Sequence, residues 1–151
     1  MNKLMAAYLA GLIDGEGYLG ILQVKKGEKS KWSSLREFQY IPVMKVCMTD
    51  RDIIEWLYKS FGGTFETRQH PEKEWKSKVS YGWTMRKNQV IEIVRLVYPF
   101  LRVKKKQAQI LLRFPLGQVG TIISDSVYEI RGKLRDEIRT LNHKGAAVET
   151  N

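Results

Sequence analysis

The sequence predicts an α+β domain in which a small-faced helix leads two β-hairpins, each followed by a helix, with further helices at the C-terminal end. Three observations carry the prediction. Apolar residues switch between a period near 3.6 and a period near 2 along the chain, in the order α-β-β-α-β-β-α-α-α. Glycine pairs, prolines and capping residues mark the changes of period. At 151 residues the chain suits one domain, 1–151, with a proper core. The core reads as about 4–114, followed by a helical extension over about 115–142 and a loose polar tail over 143–151.

Residues 4–16 predict the first helix. Ala7, Gly11 and Gly15 fall four apart, hence on one face. Small side chains in such a row let two helix backbones approach closely. Leu4, Ala7, Tyr8, Gly11 and Leu12 lie on related faces, while Leu9 and Ile13 share another. A helix apolar nearly all round is expected to be buried on more than one side. Asp14 and Glu16 come at the end of the small row, and Gly15 and Gly17 can end the helix and turn the chain. A helix crossing a partner through this face would set its terminal carboxylate beside the partner's.

Residues 18–26 read as strand, with Leu19, Ile21, Gln23 and Lys25 on one face and Tyr18, Gly20, Leu22 and Val24 on the other. The polar face switches near Gln23, so a bulge is expected there. A polar basic loop at 27–35 leads to a second strand over 36–48, where Pro42 argues for an edge or bulged position. Thr49, with Asp52 three residues on, predicts the cap of a helix carrying Ile53, Ile54, Leu57, Tyr58 and Phe61, and Gly62-Gly63 ends it. Residues 64–69 and 76–85 read as a hairpin turning at 70–74. Asn88 caps a helix with Val90, Ile91, Ile93, Val94 and Val97, and Pro99 lies at its end. Residues 104–114 form another helix with a basic start, broken by Pro115 and Gly117. Ser124 caps the last, with Val127, Ile130, Leu134, Ile138 and Leu141 on one side. The order αββα reads as a pseudo-repeat, 4–61 and then 64–98.

Lys and Arg number 26 against 16 Asp and Glu, a net charge of +10, which makes a polyanion the default partner and nucleic acid the first of these. No basic amphipathic helix stands apart from the core pattern, so a membrane surface ranks low, and no apolar run approaches about 18 residues. A single cysteine, Cys47, excludes an intrachain disulfide and a multi-cysteine zinc site. His70 and His143 are too isolated to form a metal site. No signal peptide is evident, so the chain reads as intracellular, with organelle, nucleus and prokaryotic cytoplasm undistinguished.

The stretch Leu9-Ala10-Gly11-Leu12-Ile13-Asp14-Gly15-Glu16-Gly17 resembles the signature of the LAGLIDADG homing endonucleases. The resemblance implies an αββαββα core with a saddle-shaped antiparallel sheet, here with added C-terminal helices. The motif occurs once, which implies a homodimer meeting through the signature helix, at Ala7, Ala10, Gly11 and Asp14. The activity implied is intron homing: a site-specific double-strand break in a long, partly palindromic DNA by metal-dependent phosphodiester hydrolysis. Glu16 occupies the position of the metal-binding acid, with the backbone carbonyl of Gly15 beside it. Asp14 is the rival, at a position that caps or orients the helix end in the family. Mg²⁺ is the implied cofactor, Mn²⁺ a substitute, and Ca²⁺ an ion expected to bind without supporting cleavage. Such hard cations take carboxylate and carbonyl oxygens.

Pro99-Phe100-Leu101-Arg102-Val103-Lys104 with Gln107-Ala108 resembles a second stretch of these enzymes, Pro-Phe-Leu-x-x-Lys with Gln-Ala shortly after. The resemblance places Lys104 near the water network at the scissile phosphate. The residues alone also allow a helix start with a solvated basic run. A lysine in a first helical turn is unfavourable against the dipole, which suggests that the charge serves something else. Thr49-Asp50-Arg51-Asp52 resembles the family's helix start, with Arg51 as a phosphate contact or an ordinary exposed arginine. Met48 stands where the family has a polar residue, often Gln. A thioether cannot order water as an amide can, so either the register is shifted with Lys45 substituting, or the solvent network differs.

A twisted antiparallel sheet laid in the major groove reads base edges with alternate residues. The candidates are Gln23, Lys25, Lys26, Arg36, Gln39, Lys45, Glu66, Arg68, Lys76 and Lys78, with Lys144 beyond the sheet. Trp32, Trp75 and Trp83 read as packing before base stacking. The alternative function is a catalytically silent nucleic-acid binder on the same scaffold, either an intron RNA maturase or a DNA-binding regulator, which Met48 keeps open.

Overall fold

The structure, a computed structural model, describes residues 1–26, 36–69, 78–118 and 120–144, the side chain of Lys144 excepted. Helix α1 (Lys3–Glu16) starts at Asn2, whose side chain accepts the N–H of Met5 at 2.9 Å. It stops at Gly17, whose N–H donates to the carbonyl of Ile13. A Cβ on Gly17 would lie 2.6 Å from the backbone of Ile13, so the close approach of chain to chain requires glycine there.

Strands β1 (Gly17–Lys25) and β2 (Phe38–Met48) pair antiparallel without interruption, from Gly17 opposite Val46 to Lys25 opposite Phe38. The bulge expected near Gln23 is therefore absent. The polarity changes there because β1 is exposed from Gln23 onward, not because its phase shifts. Strands β3 (Thr64–Arg68) and β4 (Ser80–Arg86) form the second hairpin, and the sheet order is β1-β2-β4-β3. The later strand of each hairpin is inner, as the pseudo-repeat requires. Pro42 thus lies on an inner strand, against the edge expectation. It is tolerated because the β2–β4 ladder stops at Val43 opposite Arg86, so no ladder donor is lost on that side. The carbonyl of Pro42 instead accepts the N–H of Lys87 at 2.9 Å.

Helix α2 (Arg51–Phe61) is capped by Asp50, not Thr49: the Asp50 carboxylate accepts the N–H of Ile53 at 3.1 Å. Gly62 and Gly63 follow with φ of 74° and 88°, the left-handed region that favours glycine. The buried Trp83 indole donates to the carbonyl of Gly62 at 2.7 Å, so this tryptophan locks the turn from within. Helix α3 (Asn88–Val97) begins after Lys87 at φ 64°, and Asn88 lies inside it instead of capping it. A short 3₁₀ turn (Tyr98–Phe100) leads to α4 (Lys105–Leu112) and then α5 (Asp125–Lys144), where the Ser124 hydroxyl accepts the N–H of Val127 at 3.3 Å. Helix α5 runs on to Lys144, two residues into the expected tail. The turn at 70–74, the loop at 27–35, Trp32, Trp75 and Lys76 lie outside the described residues.

The sheet residues of the core are Leu19, Ile21, Met44, Val46, Trp83 and Met85. The registers set all of them on one face. Leu9, Ala10 and Ile13 of α1, Ile54 and Leu57 of α2, Val90, Ile91 and Val94 of α3, and Ala108 and Leu111 of α4 cover that face. Helix α5 adds Leu134 and Ile138, so the C-terminal extension completes the core. Burying each leucine, isoleucine, valine or methionine among them contributes about 1.5–3 kcal/mol. Phase alone then assigns the other sheet face, which no helix of this core covers: Tyr18, Gly20, Leu22 and Val24 of β1, and Gln39, Ile41, Val43, Lys45 and Cys47 of β2. Ser80, Gly82, Thr84 and Arg86 of β4 continue it, with Thr64, Glu66 and Arg68 of β3.

Candidate active site and nucleic-acid face

Glu16 is the last residue of α1 and is exposed, as is Gly15 before it. The other acid of the motif is differently engaged. One oxygen of Asp14 accepts the N–H of Arg102 at 2.7 Å and the second accepts the N–H of Lys104 at 2.9 Å. Burial pushes the Asp14 carboxyl up, but the backbone N–H groups of Lys104, Arg102 and Val103, with the Lys104 charge, outweigh it and hold the pKa below the usual value. Asp14 is thus a tether for the segment before α4, which leaves Glu16 as the motif's free carboxylate.

Lys104 is the residue before α4, outside its first turn. Its Nζ donates to the backbone carbonyl of Asp14 at 2.8 Å. The charge therefore sits at the C-terminal end of α1, where a cation is favoured by the dipole. The conflict expected of a lysine at a helix start is resolved by a different helix. Arg51 opens α2, exposed, beside a shallow depression shared with Glu55, Tyr58, Thr64 and Phe65.

Met48 departs from the site expected of it. It lies opposite Tyr81 in the phase of Met44 and Val46, and packs against the core. Cys47 and Lys45 take the open face at this end of β2. Lys45 stands in a cross-strand row between Tyr18 and Thr84.

The phase of the strands also sorts the nucleic-acid candidates. Gln39, Lys45, Glu66 and Arg68 lie on the open face, and Arg68 bonds Glu66 at 3.3 Å. Lys26 and Lys78 flank the strands in the same phase. Gln23, Lys25 and Arg36 do not belong with them, because the phase of Leu19 and Met44 puts all three on the helical side. Lys25 pairs with Glu37 at 3.7 Å. Arg36 donates to the carbonyl of Ile123 at 2.8 Å and to Asp125 at 2.6 Å, and lies 4.8 Å from the Tyr128 ring centre, fastening the start of α5. Lys76 and the side chain of Lys144 lie outside the described residues. Sequence reasoning missed Tyr18, Leu22, Val24, Ile41 and Arg86 on the open face. For the β1 members no sequence signal chooses the face, because Leu19 with Ile21 and Leu22 with Val24 are apolar alike.

On α1, Ala7 and Gly11 are exposed beside Leu4, which is 83% exposed, and a Cβ on Gly11 would meet nothing within 4 Å. Ala10 is 0% exposed in the core and so leaves the expected partner surface, while the half-buried Asp14 carboxylate is engaged by Arg102 and Lys104. Among the described residues no three His, Cys, Asp or Glu side chains gather to hold a metal ion, and no helix is long and apolar enough to cross a membrane.

The sequence profile of the family described as LAGLIDADG endonuclease matches residues 9–113. The chain belongs to the LAGLIDADG endonuclease family. No curated protein sequence matches it. Solved structures share the fold. The homing endonuclease I-CvuI, in complex with its target in the presence of Ca, is 19% identical at a TM-score of 0.59, covering 87% of this chain and 95% of that one. An archaeal intron-encoded homing endonuclease complexed with DNA is 18% identical at a TM-score of 0.66, covering 91% and 83%. The meganuclease I-SmaMI, bound to uncleaveable DNA, is 22% identical at a TM-score of 0.54, covering 90% of this chain and 42% of its own. This LAGLIDADG chain therefore carries the fold of a DNA endonuclease, with its motif on α1 and the first turn into β1.

Proposed function

We propose that this LAGLIDADG chain acts as a homodimer that makes a site-specific double-strand break in a long, partly palindromic DNA by divalent-metal-dependent phosphodiester hydrolysis. The observation that carries the reading is Glu16, exposed at the end of a helix whose small-residue face is open. One chain offers one free motif carboxylate, and two copies meeting through Ala7 and Gly11 would offer two. Glu16 and the carbonyl of Gly15 are hard oxygen donors suited to Mg²⁺, with Mn²⁺ as a substitute and Ca²⁺ as a binding but unproductive ion. When bound, such an ion activates water and neutralises charge at phosphorus. Lys104, held on the Asp14 carbonyl, places a cation at the same end of α1. Lys26, Lys45, Arg68 and Arg86 supply positive charge on the sheet face for the duplex.

The test is cleavage of a plasmid library carrying randomised sites, with Mg²⁺ and with chelator, by wild-type protein and Glu16→Gln. Linear product from wild type with Mg²⁺ alone supports the reading, and its absence in every arm overturns it. The turn of Met48 into the core favours a second reading, because that strand position then offers no group to order water. A silent binder of duplex DNA or of intron RNA would retard labelled DNA or RNA in a gel-shift measurement and leave the plasmid intact.

A further inference from the structure

We infer that the β1–β2 half of the open sheet face recognises thymine C5-methyl groups in the major groove of its DNA target. The inference rests on the proposed binding of duplex DNA by that face. Leu22 stands directly opposite Ile41, and Val24 opposite Gln39, all four on the open face. Val24 is 41% exposed, and Leu22 and Ile41 are half-buried. None of the three belongs to the core cluster or to the residues packed against it. The three thus leave apolar area outside the core on a face where a solvated antiparallel sheet ordinarily carries polar side chains, whereas Val43 on the same face is buried.

The β3–β4 half of the same face is built differently, from Thr64, Glu66, Arg68 and Arg86 around the buried Thr84. Those side chains hydrogen-bond, whereas Leu22, Val24 and Ile41 cannot. In the major groove one base presents an apolar group, the methyl of thymine, and apolar side chains contact it. Lys26 and Lys45 bracket the patch along the strands, so its surroundings are complementary to a polyanion. Uracil lacks the methyl, so the same patch favours DNA over RNA. Leu22 and Val24 lie five and seven residues from Gly17. At about 3.3 Å per residue this is about 17–23 Å, or about 5–7 base pairs from the α1 end.

The experiment selects duplexes from a randomised library with wild-type protein in chelator, then compares the selected duplex with copies carrying deoxyuridine for thymidine. A·T pairs are expected about 5–7 base pairs from the centre of the site. Each lost methyl there should weaken binding about fourfold. Leu22→Ala and Ile41→Ala, checked by melting temperature, should flatten the difference between thymidine and deoxyuridine. Should a variant unfold, the wild-type comparison still decides. Selected sites without A·T pairs there, or equal affinity for the deoxyuridine copies, overturn methyl recognition and leave DNA binding standing. Enrichment of no duplex, or stronger binding to RNA of the same sequence, overturns both.

Discussion

Lys104 and Asp14 hold one another twice, across 90 positions of sequence: the Asp14 carboxylate accepts the Lys104 N–H at 2.9 Å, and the Asp14 carbonyl accepts the Lys104 ammonium at 2.8 Å. The pair joins the end of the motif helix to the segment that opens α4. Position and charge of Lys104 are therefore separable by mutation, since the backbone contact survives a change of side chain.

Lys104→Met removes the ammonium and its bond to α1. Folding stability should fall by about 1.5–3 kcal/mol, the net value of a hydrogen bond from a charged group. If the charge also serves the scissile phosphate, single-turnover cleavage should slow by about 10²–10³, the scale of one positioned donor. Lys106→Met is the control, with Lys105→Met beside it, although Lys105 also lies 5.1 Å from the Tyr98 ring centre. Equal rate losses from all three would mark Lys104 as part of a general basic face.

Asp14→Asn replaces one oxygen with a donor facing a backbone N–H. A loss of about 1–2 kcal/mol is expected at neutral pH, discounted for solvent access. The folded pKa of Asp14 lies below the ordinary value of about 3.9, so its ionised form stabilises the fold above that pH, and the contribution is lost as pH falls through the folded value. Urea denaturation of both proteins should show a constant gap near neutrality that closes in acid. A gap unchanged into strong acid would remove the carboxylate from this role.

Glu16→Gln keeps the size of the side chain and removes the charge a divalent ion requires. Cleavage should vanish while binding to a selected duplex stays within a few-fold. Efficient cutting by this variant, read by single-turnover kinetics, would transfer the metal role to another group.

Two glycines of the motif should fail in different ways. Gly11→Val meets nothing within 4 Å inside the chain, and valine is no worse than glycine in a helix, so melting temperature should hold. Light scattering should instead report monomer, and a stable dimer would move the partner surface off α1. Gly17→Ala puts a methyl 2.6 Å from the Ile13 backbone and should unfold early, by thermal melting, with or without a partner.

Much of the fold was legible because its signals are local. Gly62-Gly63 ends a helix in any context, Ser124 caps one, and the order of elements follows from apolar period alone. Errors of one residue at Thr49 and Asn88 arose where neighbouring residues compete for a cap. Asp50 reaches its N–H groups with a carboxylate, and Lys87 turns the chain through its backbone without a side-chain cap.

The sequence by itself determined the element order, the net charge of +10 that invites a polyanion, and the motif that ends in Glu16. Tertiary structure alone decided which face of β1 is covered, since Leu19 with Ile21 and Leu22 with Val24 are both apolar and a period of two cannot choose between them. Helices over Leu19 and Ile21 settled it, freeing Leu22 and Val24 and turning Gln23, Lys25 and Met48 away from the open face. The same holds for Lys104: its place depends on Asp14, and contacts between residues so far apart along the chain are fixed only when the core between them closes.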